Sequence, residues 1–300
     1  MMSLRYHVVS IAAVFLALAL GVVLGASGVS DRLLSAVSTE RDELGGRVQT
    51  LTGERDDLAA AARASDEFAR RVGPAAVRGL LDGRAVTIVT AGAEVADRDG
   101  LVALLGQAGA AVAGEVTLTP AVGDPARADQ LRELTAGLLP SGAQLPAASD
   151  TGSLLGGLLG GALLEGGDAA AVLDGLAAAG FVQAGDPPAP ATLVVVLTGG
   201  ALTGVDAADA AAVVARLAAE LDRRGAGAVL AGRTGSADST GPVGVARADS
   251  TVTAALSTVD DVQSGPGQVS TVLALREQLD GRAGRYGTAA TASDGAAPAA

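Results

Sequence analysis

From Val8 to Ala26 the chain reads VVSIAAVFLALALGVVLGA, 19 residues with no charge and one hydroxyl, at Ser10. At 1.5 Å of rise per residue such a run crosses a hydrocarbon core of roughly 30 Å. It predicts a transmembrane helix over residues 8–26. Arg5 precedes the run and Asp31 with Arg32 follows it. The positive-inside rule then predicts a short cytoplasmic N-terminus over residues 1–7, a single pass of the plasma membrane, and an extracytoplasmic bulk. A cleaved signal peptide is the competing reading, because Ala26-Ser27-Gly28 offers small residues at cleavage-like positions. The apolar run is, however, longer than the usual signal core of roughly 7 to 15 residues. Ala13, Ala17, Gly21 and Gly25 recur every fourth residue, and the Gly21–Gly25 spacing permits close backbone approach in lipid. Ala17, Gly21 and Gly25 are therefore the candidate membrane dimer face; in a chain with 42 glycines, chance recurrence is the alternative.

No proline occurs between Asp31 and Val72, and Val37, Leu44, Leu51 and Leu58 are spaced by seven. With these at d, the a positions hold Leu34, Arg41, Val48, Arg55 and Ala62. The period predicts a coiled-coil stalk over residues 31–72, about 63 Å long if continuous. Arg41, Leu44, Val48, Leu51, Arg55 and Leu58 are its candidate partner contacts. An arginine at a keeps its charge in water by its long stem, discourages tight self-packing and invites an acidic partner. Gly45, Gly46 and Gly53 each weaken the helix by about 1 kcal/mol. A single amphipathic helix folded back on the following domain is the other reading.

Gly73-Pro74 is expected to end this helix, and the pattern then changes to short β-rich runs alternating with helical ones. AVTIVT (85–90) reads as a buried strand, residues 94–108 as a helix and residues 111–118 as a second strand. TLVVVL (192–197) is a further strand. Asp206 caps the next helix, Val213, Leu217 and Leu221 mark its inner face, Gly225 stops it, and AGAVLA (226–231) follows as a strand. Residues 154–164 and 169–180 are two more helix candidates. This alternation predicts an α/β domain over residues 80–287, Rossmann-like and three-layered with a largely parallel sheet. The tail 288–300 has no periodicity and is expected to be disordered.

Composition narrows the function. Against 33 acidic residues stand 21 arginines and no lysine, a formal charge of −12, so neither a phosphate backbone nor a Walker A motif is served. The turn after the first strand, Thr90-Ala91-Gly92-Ala93, lacks the dinucleotide GxGxxG. There is no cysteine, both methionines are at the N-terminus, and His7 is the one histidine, which removes thiolate, thioether and imidazole sites from the extracytoplasmic region. Five aromatic residues do not furnish the girdles of an outer-membrane barrel. Asp260-Asp261 is the one acidic pair of note; it offers a cation site or an acid and base, and more ordinarily a solvated cap before a helix. No catalytic constellation, cofactor site or metal site is expected.

The opening SLRYHVVSIAAVFLALALGVVLGA (residues 3–26), with the arginine- and glutamate-rich heptads behind it, resembles the actinobacterial mycobacterial copper transport protein B family. Residues 257–287, STVDDVQSGPGQVSTVLALREQLDGRAGRYG, look like that family's closing motif, in which a Ser-Thr-Val-Asp segment leads into a helix and ends in an aromatic-glycine pair. Gly284-Arg285-Tyr286-Gly287 departs from the family, which often has a histidine before the tyrosine. The resemblance implies copper export or tolerance, sometimes as an outer-membrane pore. It also implies a membrane-anchored partner of cell-envelope and division proteins that control a peptidoglycan hydrolase. Copper(I) prefers thiolate and thioether, copper(II) imidazole, and a pore needs several spans or a closed barrel. The residues therefore favour a non-enzymatic interaction protein, a homodimer binding envelope or division proteins through stalk and head. Copper transport or homeostasis is the alternative.

Overall fold

The structure, a computed structural model, describes residues 4–139 and 150–298. Residues 1–3 of the expected N-terminus, the side chain of Leu34 at its a position, and residues 299 and 300 of the expected tail lie outside the described residues. Helix α1 runs Leu4–Val77. The chain divides into two compact units between Arg63 and Ala64, so the last turns of α1 belong to the second. In that unit follow β1 (Ala85–Ala91), α2 (Val95–Gln107), β2 (Ala111–Leu118), α3 (Ala128–Gly137), α4 (Thr151–Leu163), α5 (Ala169–Ala178), β3 (Leu193–Thr198) and α6 (Ala207–Arg224). Then come β4 (Ala228–Gly232), α7 (Pro242–Ala248), α8 (Ser250–Thr253), β5 (Ser257–Val259), α9 (Gly265–Gln278) and β6 (Arg285–Tyr286).

The six strands form one all-parallel sheet in the order β2-β1-β3-β4-β5-β6. Its central strands β1, β3 and β4 are mostly apolar, with Thr87, Thr90 and Thr198 the polar side chains among them, because both faces are covered, as parallel sheets require. Alternation sends Leu193, Val195 and Leu197 to a core shared with α2, α9 and the end of α1, and Val194 and Val196 to a core shared with α4, α5, α6 and α7. The predicted α6 follows Asp206, which stands at its N-cap position without a side-chain capping hydrogen bond; it buries Leu217 and Leu221, leaves Val213 half-buried, and ends before Gly225. Asp209 in its first turn and Arg223 and Arg224 in its last match the helix dipole.

Helix α4 forms despite a glycine-rich sequence because its glycines are contact points. Asp150 caps it by accepting from Ser153 N at 2.9 Å. Gly152, Gly156 and Gly160, spaced by four, face α6: a Cβ on Gly156 would stand 2.9 Å from Leu217 O, and one on Gly152 2.4 Å from Val213 O. The absent side chains let the two helices meet backbone to backbone.

Three expectations are corrected. The helix does not stop at Gly73-Pro74 but passes through Pro74 to Val77. Packing accounts for this: Val77 is fully buried, and Gly73 fits so closely against α9 that a Cβ would meet Val269 Cγ2 at 2.7 Å. Asp66 of α1 also caps α9, accepting from Gly265 N at 2.9 Å. Asp260-Asp261 is not a solvated cap, since both side chains are buried. Asp260 pairs with the buried Arg247 at 2.5 Å and accepts from Thr288 N and Ala289 N at 2.8 and 3.1 Å. Arg247 donates further to Thr258 Oγ1 (3.0 Å), Thr291 Oγ1 (3.1 Å) and Tyr286 O (2.7 Å). The tail is ordered over residues 288–298 for the same reason: Gly287 N donates to Gly295 O at 2.8 Å, and Ala297 is buried.

This network holds an unusual connection. The units β1-α2-β2 and β3-α6-β4 step toward opposite edges of the sheet with their helices on opposite faces, which is one and the same hand. The β5-α9-β6 unit steps in the α6 direction but keeps its helix on the α2 face, so its hand is reversed. Two residues of β6, held by Arg247 at Tyr286 O and by Glu277 at the Tyr286 hydroxyl, suffice to close it.

Two stability measurements check these points on the full-length protein. Gly156→Leu is expected to destabilise by about 1–3 kcal/mol through overpacking against α6. Gly161→Ala, where the nearest atom to a Cβ is Glu165 Oε2 at 3.8 Å, is expected instead to stabilise by about 0.5–1 kcal/mol. Asp261 gives a pH test. Burial pushes its carboxyl above the usual carboxylate range, the Ser264 hydroxyl opposes this, and its Oδ1 has no hydrogen-bond partner. A group raised in the folded state stabilises fully below the unfolded carboxyl's pKa of about 3.9 and loses that contribution as pH rises through the folded value. Asp261→Asn is therefore expected to raise the melting temperature at pH 7 and to leave it unchanged near pH 3.

Candidate functional site

The partner-contact residues predicted from the heptad period come together on one stripe of α1. Val37, Leu44, Val48, Leu51 and Leu58 range from 53% exposed at Leu44 to 72% at Leu58. Large apolar side chains left bare at a seven-residue spacing follow the period that the seam of a helix pair uses. Helix α1 continues through Gly45, Gly46 and Gly53, and nothing lies within 4 Å of a Cβ built on any of them. Arg41 and Arg55 are exposed on the same segment. Arg55 contacts Asp56 at 2.7 Å, and nearby Arg47 pairs with Glu43 at 2.7 Å.

Upstream on α1, Arg5–Val23 has a mean hydropathy of 2.3 over 19 residues, long and apolar enough to cross a membrane, and its described side chains are exposed. Ala17, Gly21 and Gly25 lie on this stretch or just past it, with open space at both glycines. They are out of phase with the stripe. Extending the heptads backwards from Val37 puts Val23 and Leu16 at d and Leu20 and Ala13 at a, so the glycine face and the stripe face are separate surfaces.

Reading the apolar period alone misses one signal in the sequence. Glu40-Arg41-Asp42 recurs as Glu54-Arg55-Asp56, a repeat of 14 residues, or two heptads. It places an acid immediately before each arginine of the stripe.

A second surface is a cleft of about 650 Å³ at the C-terminal ends of β1 and β3, where the strand order reverses. Its floor is Thr90, Gly92, Thr198, Gly199 and Gly200, and Leu202 stands on its rim. Gly92 has φ +68°, and a Cβ on Gly199 would meet Gly92 O at 2.7 Å, so the loop backbones close on each other there. Among the described residues no arginine lines the cleft. The helices that start beside it already carry acids in their first turns, Asp97 on α2 and Asp209 on α6, which occupy the positive ends that elsewhere bind phosphate. Burial raises the Asp97 carboxyl above its ordinary range, and Arg233, with Nε at 3.4 Å, draws it back. The cleft therefore lacks a built anion cradle. Among the described residues no group of three or more His, Cys, Asp or Glu side chains is placed to hold a metal ion.

The sequence profile of the family described as "Copper transport outer membrane protein, MctB" matches residues 1–297. Proteins named "Copper transporter MctB" from Mycobacterium bovis and Mycobacterium tuberculosis are each 42% identical to this chain over 304 residues, covering 96% of both sequences. The protein of the same name from Mycobacterium leprae is 37% identical over 306 residues, again covering 96% of each.

Proposed function

We propose a role for this chain within its family: it belongs to the family of the copper transport outer membrane protein MctB, and we read it as the membrane-anchored interaction subunit of copper handling rather than as the conduit for the ion. One observation carries the reading, the exposed apolar stripe of α1 from Val37 to Leu58. Anchoring by the apolar N-terminal part of α1 fits the membrane setting of the family. Arg5 ahead of that segment supports a single pass of the plasma membrane with the N-terminus inside and the rest of the chain outside. On this reading the stripe forms a coiled coil, the Rossmann-like head is a scaffold without enzymatic activity, and cell-envelope or division proteins are the class of partner. The chemistry of the chain agrees: beyond residue 7 it offers neither thiol, thioether nor imidazole, the ligands that copper prefers.

Direct copper transport by this chain is the second reading, and the names of the relatives favour it. The two readings part at the stripe. Substituting Leu44, Leu51 and Leu58 together by serine is expected to abolish the protein's support of growth under copper stress, with the melting temperature of the head unchanged. Full support of growth by this variant would remove the stripe from the function and leave the direct reading in place.

A further inference from the structure

Resting on the reading of α1 as an interaction surface, we propose that the occupant of the stripe is a second copy of this chain, paired parallel and in register, with Glu40 and Glu54 bridging the partner's Arg41 and Arg55. The 14-residue repeat carries this. With Leu44, Leu51 and Leu58 at d, Arg41 and Arg55 take a and Glu40 and Glu54 take the preceding g positions. In a parallel two-stranded seam each a side chain inserts beside the g residue that precedes the facing a. Two arginines meet across the seam at each such layer, and two glutamates flank them, so the layer is neutral. An apolar stripe interrupted twice by arginine is unfavourable against a neutral helix and balanced against itself.

The neighbouring positions leave these glutamates no other cation. The e positions that a g residue ordinarily reaches across a parallel pair are Ser38, Gly45, Thr52 and Ala59, none of them charged. On its own helix, Glu40 has Ala36, Val37, Glu43 and Leu44 at three and four residues' distance, and Glu54 has Thr50, Leu51, Asp57 and Leu58. Glu43, by contrast, has Arg47 four residues on and pairs with it at 2.7 Å. Asp42, Asp56 and Asp57 likewise have no cation at that spacing, but of the acids only Glu40 and Glu54 stand at g, beside the arginines placed at a. The parallel direction follows from the anchor, since two copies that enter one membrane by residues 5–23 run the same way. The apolar a and d series is interrupted by Ser27 and Ser30 and resumes in that segment at Leu20 and Val23, then Ala13 and Leu16.

The chain has no cysteine, so Leu51→Cys supplies one thiol at a d position of the full-length protein in its membrane. Mild oxidation is expected to give a covalent dimer as the main product. Adding Arg41→Glu and Arg55→Glu is expected to lower the cross-linked fraction roughly tenfold, since every bridge becomes a like-charge contact. Mixing that variant with a differently tagged Glu40→Arg, Glu54→Arg variant that also carries Leu51→Cys is expected to restore cross-linking in the mixed pair alone. No cross-link in the parent, no loss on charge reversal, or no recovery in the mixture would each overturn the pairing. In those cases the triple serine variant decides the wider reading: lost copper tolerance keeps α1 as a surface for another protein, and retained tolerance removes it.

Discussion

The buried ion pair between Arg247 and Asp260 is the contact on which the C-terminal part of the head depends. A guanidinium taken out of water is tolerable only when its donors are used, and here four of its contacts reach α7's neighbours β5, β6 and the tail. Through them a strand of two residues is held at the sheet edge, a crossover of reversed hand stays closed, and residues 288–298 are pinned to the core. Helix α9 lies between that strand and α1, and it receives the end of α1 through Asp66, Gly73 and Val77. The closing segment by which the chain resembles its family, from Ser257 to Gly287, is thus the segment that builds this corner.

The strands and helices with a clear period were legible in the sequence. The alternation of Leu193 to Leu197, the inner face of α6 and the glycine at its end need only local rules, and the sheet placed them where those rules put them. What was not legible depends on partners far along the chain. A pair of aspartates reads as solvated until an arginine 13 residues earlier is found beside it. A tail without periodicity reads as disordered until two of its amides meet Asp260. Pro74 reads as a stop, and the fit of Gly73 and Val77 against the head outweighs it. The glycines of α4 lower the helix propensity, and their spacing of four shows its purpose only once α6 lies against them.

The candidate surface divides the same way. The seven-residue period from Val37 to Leu58 was plain, while the Glu-Arg-Asp repeat behind it acquires meaning only when g and a are set side by side. The strand-end cleft was invisible as a cleft, because its walls come from β1, β2, β3 and α6 and no local motif marks them. Its glycines and threonines bring no charge, and the charged side chains among its lining, Asp124 and Asp206, are acidic.

The family's name is that of a copper transporter, and this chain carries a long helix with an apolar N-terminal stretch and an exposed heptad stripe. Acting in copper handling and holding copper are separable roles, and copper binding tells them apart. The most direct measurement is a competition titration of Cu(I) and Cu(II) against the full-length protein with chelators of known affinity. No stoichiometric site for either ion is expected. Tight binding of one ion per chain would contradict that expectation and give the family's name its literal meaning in this protein.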